Sequence, residues 1–191
     1  MRFRHRSPGC GDRVASTLTL VDGFDPAGNR AAAVAKDAVL DLLRSHPAPF
    51  DPSSHNPGHI TASAAVVSSK KERLLLVYHR RLSRWLQPGG HVEPGDSDII
   101  ETARREVLEE TGLDLGGAAA ARLVGMSVHE IPATEGEPAH LHHDLTFGFA
   151  IDPQNAARQR GTELTVWCPV DRLDTYGVDE PLRLSLERAL A

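Results

Sequence analysis

The spacing of apolar residues changes character near residue 58. Upstream, Ala31, Ala35, Ala38, Val39 and Leu42 recur at helical spacing behind Asn29, a residue suited to capping. This predicts one helix over Asn29–Ser45, ended by His46-Pro47. Residues 1 to about 28, punctuated by Gly, Pro and Arg, are expected to be irregular, as is the stretch from Pro49 to Gly58. Downstream the runs shorten and become β-rich: Ile60–Ser68, then Leu74–His79, joined by the polar turn Ser69-Lys70-Lys71-Glu72. Further strands are expected at Leu123–Glu130, Leu141–Ile151 and Leu164–Cys168. A closing helix starts near Asp179-Glu180-Pro181, with Leu182, Leu186, Ala189 and Leu190 on one face.

Between these strands lies a Pro-Gly-Gly loop followed by an acidic helix, Ile99–Thr111. Asp98 with Glu101 three residues on forms a capping signature, and Gly112 supplies the stop. At about 100° per residue, Glu106, Glu109 and Glu110 fall within roughly a 100° arc. Ile100, Ala103 and Val107 lie beside it on a core-facing arc. Arg105 sits one turn before Glu109 and can orient a carboxylate. Three converging carboxylates with no intervening Lys repel one another unless a cation sits between them. Hard divalent ions, Mg²⁺ or Mn²⁺, favour such oxygen donors and keep positions open for waters and phosphates. The plain counter-reading is a solvated acidic helix face. Strands, a central helix and a closing helix imply an α/β or α+β sandwich.

Composition narrows the setting. The 191 residues carry 21 Lys+Arg against 26 Asp+Glu, a net charge of −5, which argues against a nucleic-acid polymer as partner. Aromatic residues make up 5% of the chain, too few for a base-stacking platform. Two cysteines, Cys10 and Cys168, form no disulfide framework, so a reducing cytoplasm is the expectation. The basic start, Met1 to Arg6, is followed by no apolar run, so no signal peptide is expected, and no stretch approaches a membrane span.

The stretch from Gly90 to Leu113 resembles the Nudix box, G-x5-E-x7-R-E-U-x-E-E-x-G-U, where U is bulky and aliphatic. Arg105-Glu106-Val107-Leu108-Glu109-Glu110-Thr111-Gly112-Leu113 matches its second half completely. The first half departs twice: Asp96 stands where the family has Glu, and eight residues instead of seven separate it from Arg105. The capping signature puts the extra residue in the loop, so the acidic face keeps its register. Trp85-Leu86-Gln87-Pro88-Gly89-Gly90 also looks like the family's approach to its box.

The resemblance covers roughly residues 58–191. It implies a Nudix α/β/α sandwich with a mixed β-sheet, preceded by a one-helix extension over residues 1–57, with the box at residues 90–113. The implied activity is a metal-dependent hydrolysis, in the manner of MutT-like pyrophosphatases. The bond cleaved is the diphosphate linkage of a nucleoside triphosphate, nucleotide sugar or dinucleotide. Glu106, Glu109 and Glu110, with the Gly90 carbonyl, are the expected ligands of Mg²⁺ or Mn²⁺, held in place by Arg105. The base is expected to be a box glutamate, Glu109 in the first instance, or a later carboxylate; Glu163 is the later choice, with Glu93 behind it.

Two rival functions follow from the same resemblance. Isopentenyl diphosphate isomerase shares the fold but needs a core cysteine, which neither Cys10 nor Cys168 is placed to supply. A non-catalytic nucleotide-binding Nudix module, acting as sensor or partner domain, is the other; such modules usually lose box carboxylates, and this chain keeps all three.

Ten histidines are unexplained by the box. His140, His142 and Asp144 alternate along one strand and would share a face, while His143 points the other way and His129 lies on the preceding strand. Contacts to the substrate, a transition-metal site and ordinary polar sheet decoration are all open, although no well-spaced fourth metal ligand is evident. His91 follows Gly90 and is the nearest histidine in sequence to the acidic centre; it too is a substrate-binding candidate. His55 and His59 flank Pro57-Gly58, where a turn role is the default. The apolar face of the N-terminal helix fits either a cover on the sandwich or a homodimer contact.

Overall fold

A computed structural model describes residues 10–116, 121–152, 157–158 and 161–191. At its centre is a strand buried along its whole length, β1 (His59–Ser68). Its side chains alternate between two cores, as the two-residue strand period requires. Ile60, Ala62, Ala64 and Val66 face one core, and Ala65 and Val67 the other. The remaining strands in chain order are β2 (Arg73–His79), β3 (Arg84–Leu86), β4 (Gly89–His91), β5 (Leu113–Asp114), β6 (Arg122–Ile131), β7 (His140–Ile151), β8 (Ala157–Arg158) and β9 (Thr165–Pro169).

The main sheet runs β3-β2-β1-β7-β6, with β9 added to β2 and β4 to β1. It is mixed: β1 and β7 are parallel over ten residue pairs, from His59↔His142 to Ser68↔Ile151, while the other pairings are antiparallel. One edge of β1 is shared, with Thr61–Ser63 pairing β4 and Val67 pairing β2. β5 and β8 form a separate two-stranded pair.

Helices cover both faces. On one lie α1 (Cys10–Asp22), α2 (Arg30–Ser45) and α3 (Ile99–Thr111); on the other lies α4 (Glu180–Leu190). The architecture is therefore the α/β/α sandwich expected from the sequence. The predicted start of α2 holds: the Asn29 side chain accepts from Ala32 N–H at 2.8 Å, and the helix closes with His46 N–H donating to Leu42 O. Its Val39, Leu42 and Leu43 are buried in the core shared with the sheet, so this face covers the sandwich.

Two expectations need correction. The N-terminal region holds two helices, since α1 occupies part of the stretch read as irregular; residues 1–9 lie outside the described part of the chain. Its inward residues, Arg13, Thr17 and Val21, are spaced four apart, and two of the three are polar, so the amphipathic stripe is invisible to a hydrophobicity pattern. The Pro-Gly-Gly segment is not a free loop either. Gly89–His91 pairs with Thr61–Ser63, and a Cβ at Gly89 would lie 2.8 Å from the Ser63 Cα. Only a glycine allows that approach.

Candidate active site

Helix α3 has the limits its capping residues predict. The Asp98 carboxylate accepts from the N–H groups of Ile100 and Glu101, each at 2.9 Å, and Gly112 takes the left-handed conformation at φ 71°. Ile99, Ala103 and Val107 anchor its inner face beneath β1. This rotation brings Glu106 and Glu110 against β4 and leaves Glu109 beside Arg105.

Arg105 is the hub of the polar side. Its Nη1 lies 2.9 Å from Glu106 Oε1 and 3.2 Å from Glu109 Oε2; its Nε donates to Asp96 Oδ1 at 3.0 Å and its Nη2 to the His91 carbonyl at 2.7 Å. Glu93 is at the margin, 3.9 Å from Nη1. Asp96, the residue that departs from the box pattern, is buried. It accepts from Glu93 N–H at 2.9 Å and from Thr102 Oγ1 at 2.8 Å as well as from Arg105. Burial pushes its carboxyl up, but these hydrogen bonds prevail and hold it below the usual range. Asp96 thus fixes the loop and Arg105 together, a role the motif comparison left open.

The carboxylates themselves carry the opposite strain. Burial raises Glu106 against the pull of Arg105. Burial, and then the neighbouring Glu106, Glu163 and Glu109, push Glu110 up to about 7, although Gly89 N–H donates to it at 3.1 Å. A Cβ on Gly90 would stand 2.6 Å from Glu106 Oε1, so the glycine leaves the Glu106 carboxylate its space beside the β4 backbone. Crowded carboxylates that resist ionising next to exposed backbone form a donor set suited to a hard divalent cation.

Glu163 is brought to the same place. Thr162 and Glu163 donate their N–H groups to the Glu109 and Glu110 carbonyls, both at 3.0 Å, capping the end of α3. Gly161 makes this approach possible, since a Cβ there would lie 2.5 Å from the Glu110 carbonyl oxygen. Glu163 Oε2 is buried with no hydrogen-bond partner, and the Arg80 guanidinium is 3.6 Å away.

The histidine strand divides. Asp144 is buried, its carboxylate accepting from Thr61 at 2.9 Å, Ser63 at 2.8 Å and Thr146 at 3.2 Å, so those hydroxyls already satisfy it. His140 and His142 join His91 and His59 in a cluster of rings beside β4. His59 exceeds the turn role its sequence position suggested. No sequence signal marks it, because its position opposite His142 depends on the parallel pairing of β1 with β7. Burial lowers His59 to about 4 and depresses His91 and His142 as well, so these imidazoles are neutral at neutral pH.

The model of the NUDIX domain family matches residues 58–188. The chain is 51% identical over 45 residues to the asymmetrical bis(5'-nucleosyl)-tetraphosphatase of Sus scrofa, covering 24% of this chain and 30% of that protein. It is 35% identical over 86 residues to a putative 8-oxo-dGTP diphosphatase of Bacillus subtilis, covering 45% and 54%. The matches therefore span about a third to a half of these relatives' own length. Among solved structures, the NUDIX domain of Shewanella oneidensis NrtR complexed with ADP ribose shares the fold at 17% identity and a TM-score of 0.52, over 76% of this chain and 95% of that one.

Proposed function

The chain belongs to the NUDIX domain family, and we propose that it hydrolyses the diphosphate linkage of a nucleoside diphosphate derivative using Mg²⁺ or Mn²⁺. The observation that supports this reading is the packing of the Glu106 and Glu110 carboxylates against the Gly89-Gly90 backbone, with Arg105 bonded to Glu106 and Glu109 and with Glu163 near enough to Glu110 to raise it. When bound, the metal would neutralise diphosphate charge and lower the pKa of an attacking water. Glu106, Glu109 and Glu110, with the Gly90 carbonyl, would hold it.

The protein's own residues have separable tasks. Arg105 spans Glu106 and Glu109 while anchored on Asp96 and the His91 carbonyl, so it orients two carboxylates without neutralising the third. Glu110 is positioned by Gly89 N–H. The base would be a carboxylate able to take a proton from water at the edge of this group. Glu109, with a half-exposed side chain, and Glu163, whose buried Oε2 has no hydrogen-bond partner and lies 3.6 Å from Arg80, are the two candidates.

The named relatives act on a dinucleoside tetraphosphate and, in the putative case, on an oxidised deoxynucleoside triphosphate. Both are nucleotides with consecutive phosphoanhydrides, and they support that class for this chain. The test is a screen of nucleoside triphosphates, nucleotide sugars and dinucleotides with Mg²⁺ and Mn²⁺, following phosphate-containing products. Wild-type protein should turn over at least one class, and Glu109→Gln should lose about 100-fold or more while keeping its melting temperature. Unchanged turnover in that variant would remove the carboxylate group from the reaction. Tight nucleotide binding without hydrolysis across the screen would instead identify a nucleotide-binding module.

A further inference from the structure

A second cluster of possible metal ligands lies apart from the carboxylates and has a different chemistry. It is built from three strands that pair side by side at one end of the sheet: His59 on β1, His91 on β4, and His140 and His142 on β7. One ring nitrogen from each of His59, His140 and His142 lies within 4.8 Å of the other two. His91 Nε2 is 3.3 Å from His142 Nε2. The His91 ring is 5.0 Å from that of His59, centre to centre.

Hydrogen bonds on the far side of the rings determine which nitrogens face inward. His59 Nδ1 is 3.2 Å from the Ser54 carbonyl and His140 Nδ1 is 2.9 Å from the Pro138 carbonyl. A carbonyl only accepts, so in both rings Nδ1 carries the proton and Nε2 a bare lone pair. Both Nε2 atoms are buried without a hydrogen-bond partner, in residues with exposures of 0% and 4%. A buried acceptor left unsatisfied costs about 1–3 kcal/mol, and two in one cluster are unusual for a mere packing arrangement. A backbone carbonyl holding the distal N–H is also how ligating histidines are generally oriented.

From this geometry we propose that His59, His91, His140 and His142 form a binding site for a borderline transition-metal dication of the zinc class. Zn–N bonds of about 2.0–2.1 Å in a tetrahedron set neighbouring nitrogens about 3.3–3.4 Å apart. The His91–His142 separation already has this value, and His59 and His140 need to close only modestly from within 4.8 Å. Four imidazoles suit zinc, cobalt or nickel and are poor ligands for Mg²⁺. Glu137 adds the negative charge that neutral imidazoles lack: its Oε1 is 3.6 Å from His140 Nε2 and 3.8 Å from His55 Nε2. The ion would tie β4 to β1 and β7. Because the His91 carbonyl receives Arg105 Nη2, it would also brace the strand carrying Gly89 and Gly90 from behind.

The experiment uses the full chain without a polyhistidine tag, stripped with chelator and titrated with Co²⁺. About one equivalent should bind with the visible absorption of a four-coordinate centre, be displaced by Zn²⁺ and survive excess Mg²⁺. His142→Gln and His91→Gln should each weaken binding by more than about 100-fold, beyond the 10–100-fold typical of an outer-shell partner. His91 is exposed, so at least that variant should fold. Glu109→Gln should bind Co²⁺ as the wild type does. Absence of stoichiometric Co²⁺, unchanged affinity in both histidine variants, or loss of the centre in Glu109→Gln would each overturn the proposal. The last result would put the ion among the carboxylates.

Discussion

Asp96 shows how one residue can depart from a motif and still have a defined task. Its side chain is 4% exposed and receives Arg105, Thr102 and the Glu93 N–H. In Asp96→Asn, an amide NH2 would face donors where an oxygen now accepts. The expected loss is about 1.5–3 kcal/mol, the range for hydrogen bonds to charged groups, read as a lower urea midpoint at unchanged m-value. The folded-state pKa of Asp96 is depressed, so its contribution is present above the unfolded value near 3.8 and is lost as pH falls through the folded value. The gap between wild type and variant should close on acidification. A variant within about 0.5 kcal/mol of wild type at neutral pH would show that Asp96 is merely tolerated. The shorter Asp and the extra loop residue are compatible with this anchoring because the departure falls before α3 begins.

At the scale of elements, β4 separates two glycines that look equivalent in sequence. At Gly89 a Cβ meets the backbone of β1, at 2.8 Å from both the Ala62 carbonyl oxygen and the Ser63 Cα, and backbone cannot yield cheaply. At Gly90 it meets the Glu106 carboxylate, the mobile end of a side chain. Gly89→Ala should therefore lower the melting temperature through loss of β4 pairing. Gly90→Ala should keep its fold and lose about 100-fold in turnover, the order of effect expected when a catalytic group is displaced by about 1 Å. Thermal melts beside initial rates would check the contrast, and equal losses of stability in both variants would refute it. The same strand carries His91, so its pairing with β1 positions both the carboxylate site and the histidine cluster.

Across the whole molecule, the family match and the folding unit have different limits. The match begins at residue 58, but the core includes Val21, Phe24, Val39, Leu42, Leu43 and Phe50 together with Ile60, Ala62, Met126 and Phe147. Each of the Val, Leu, Ile, Met and Phe side chains contributes about 1.5–3 kcal/mol when fully buried. Arg13 of α1 also donates to the Asp96 carbonyl, linking the N-terminal helices to the loop of the candidate site. Residues 58–191 expressed alone should lose cooperative unfolding and bind a hydrophobic dye, because the uncovered sheet face is large and apolar. A cooperative melt at the full-length temperature would make residues 1–57 a separable extension, as the sequence boundary suggested. Among the described residues, no helix is long and apolar enough to cross a membrane.

What the sequence determined by itself was local. The limits of α2, α3 and α4 follow from Asn29, Asp98, Gly112 and Asp179, each of which caps its helix through neighbouring backbone. The acidic face of α3 follows from helical periodicity, and the sandwich from the order of the periodic segments. Glu163 follows from the family resemblance, which implies a carboxylate on a later loop, together with its place ahead of a late strand. The tertiary structure alone decided what depends on pairing between distant segments. Helix α1 buries Thr17 and Arg13, and the Arg13 Nη2 finds its acceptor only in the distant Asp96 carbonyl. Asp96 anchors Arg105 through a loop whose shape no period encodes. His59 meets His142 only because β1 and β7 run parallel, across 83 positions of sequence. Periodicity and capping are properties of a few consecutive residues, whereas burial of polar groups and ligand geometry are settled by strand register.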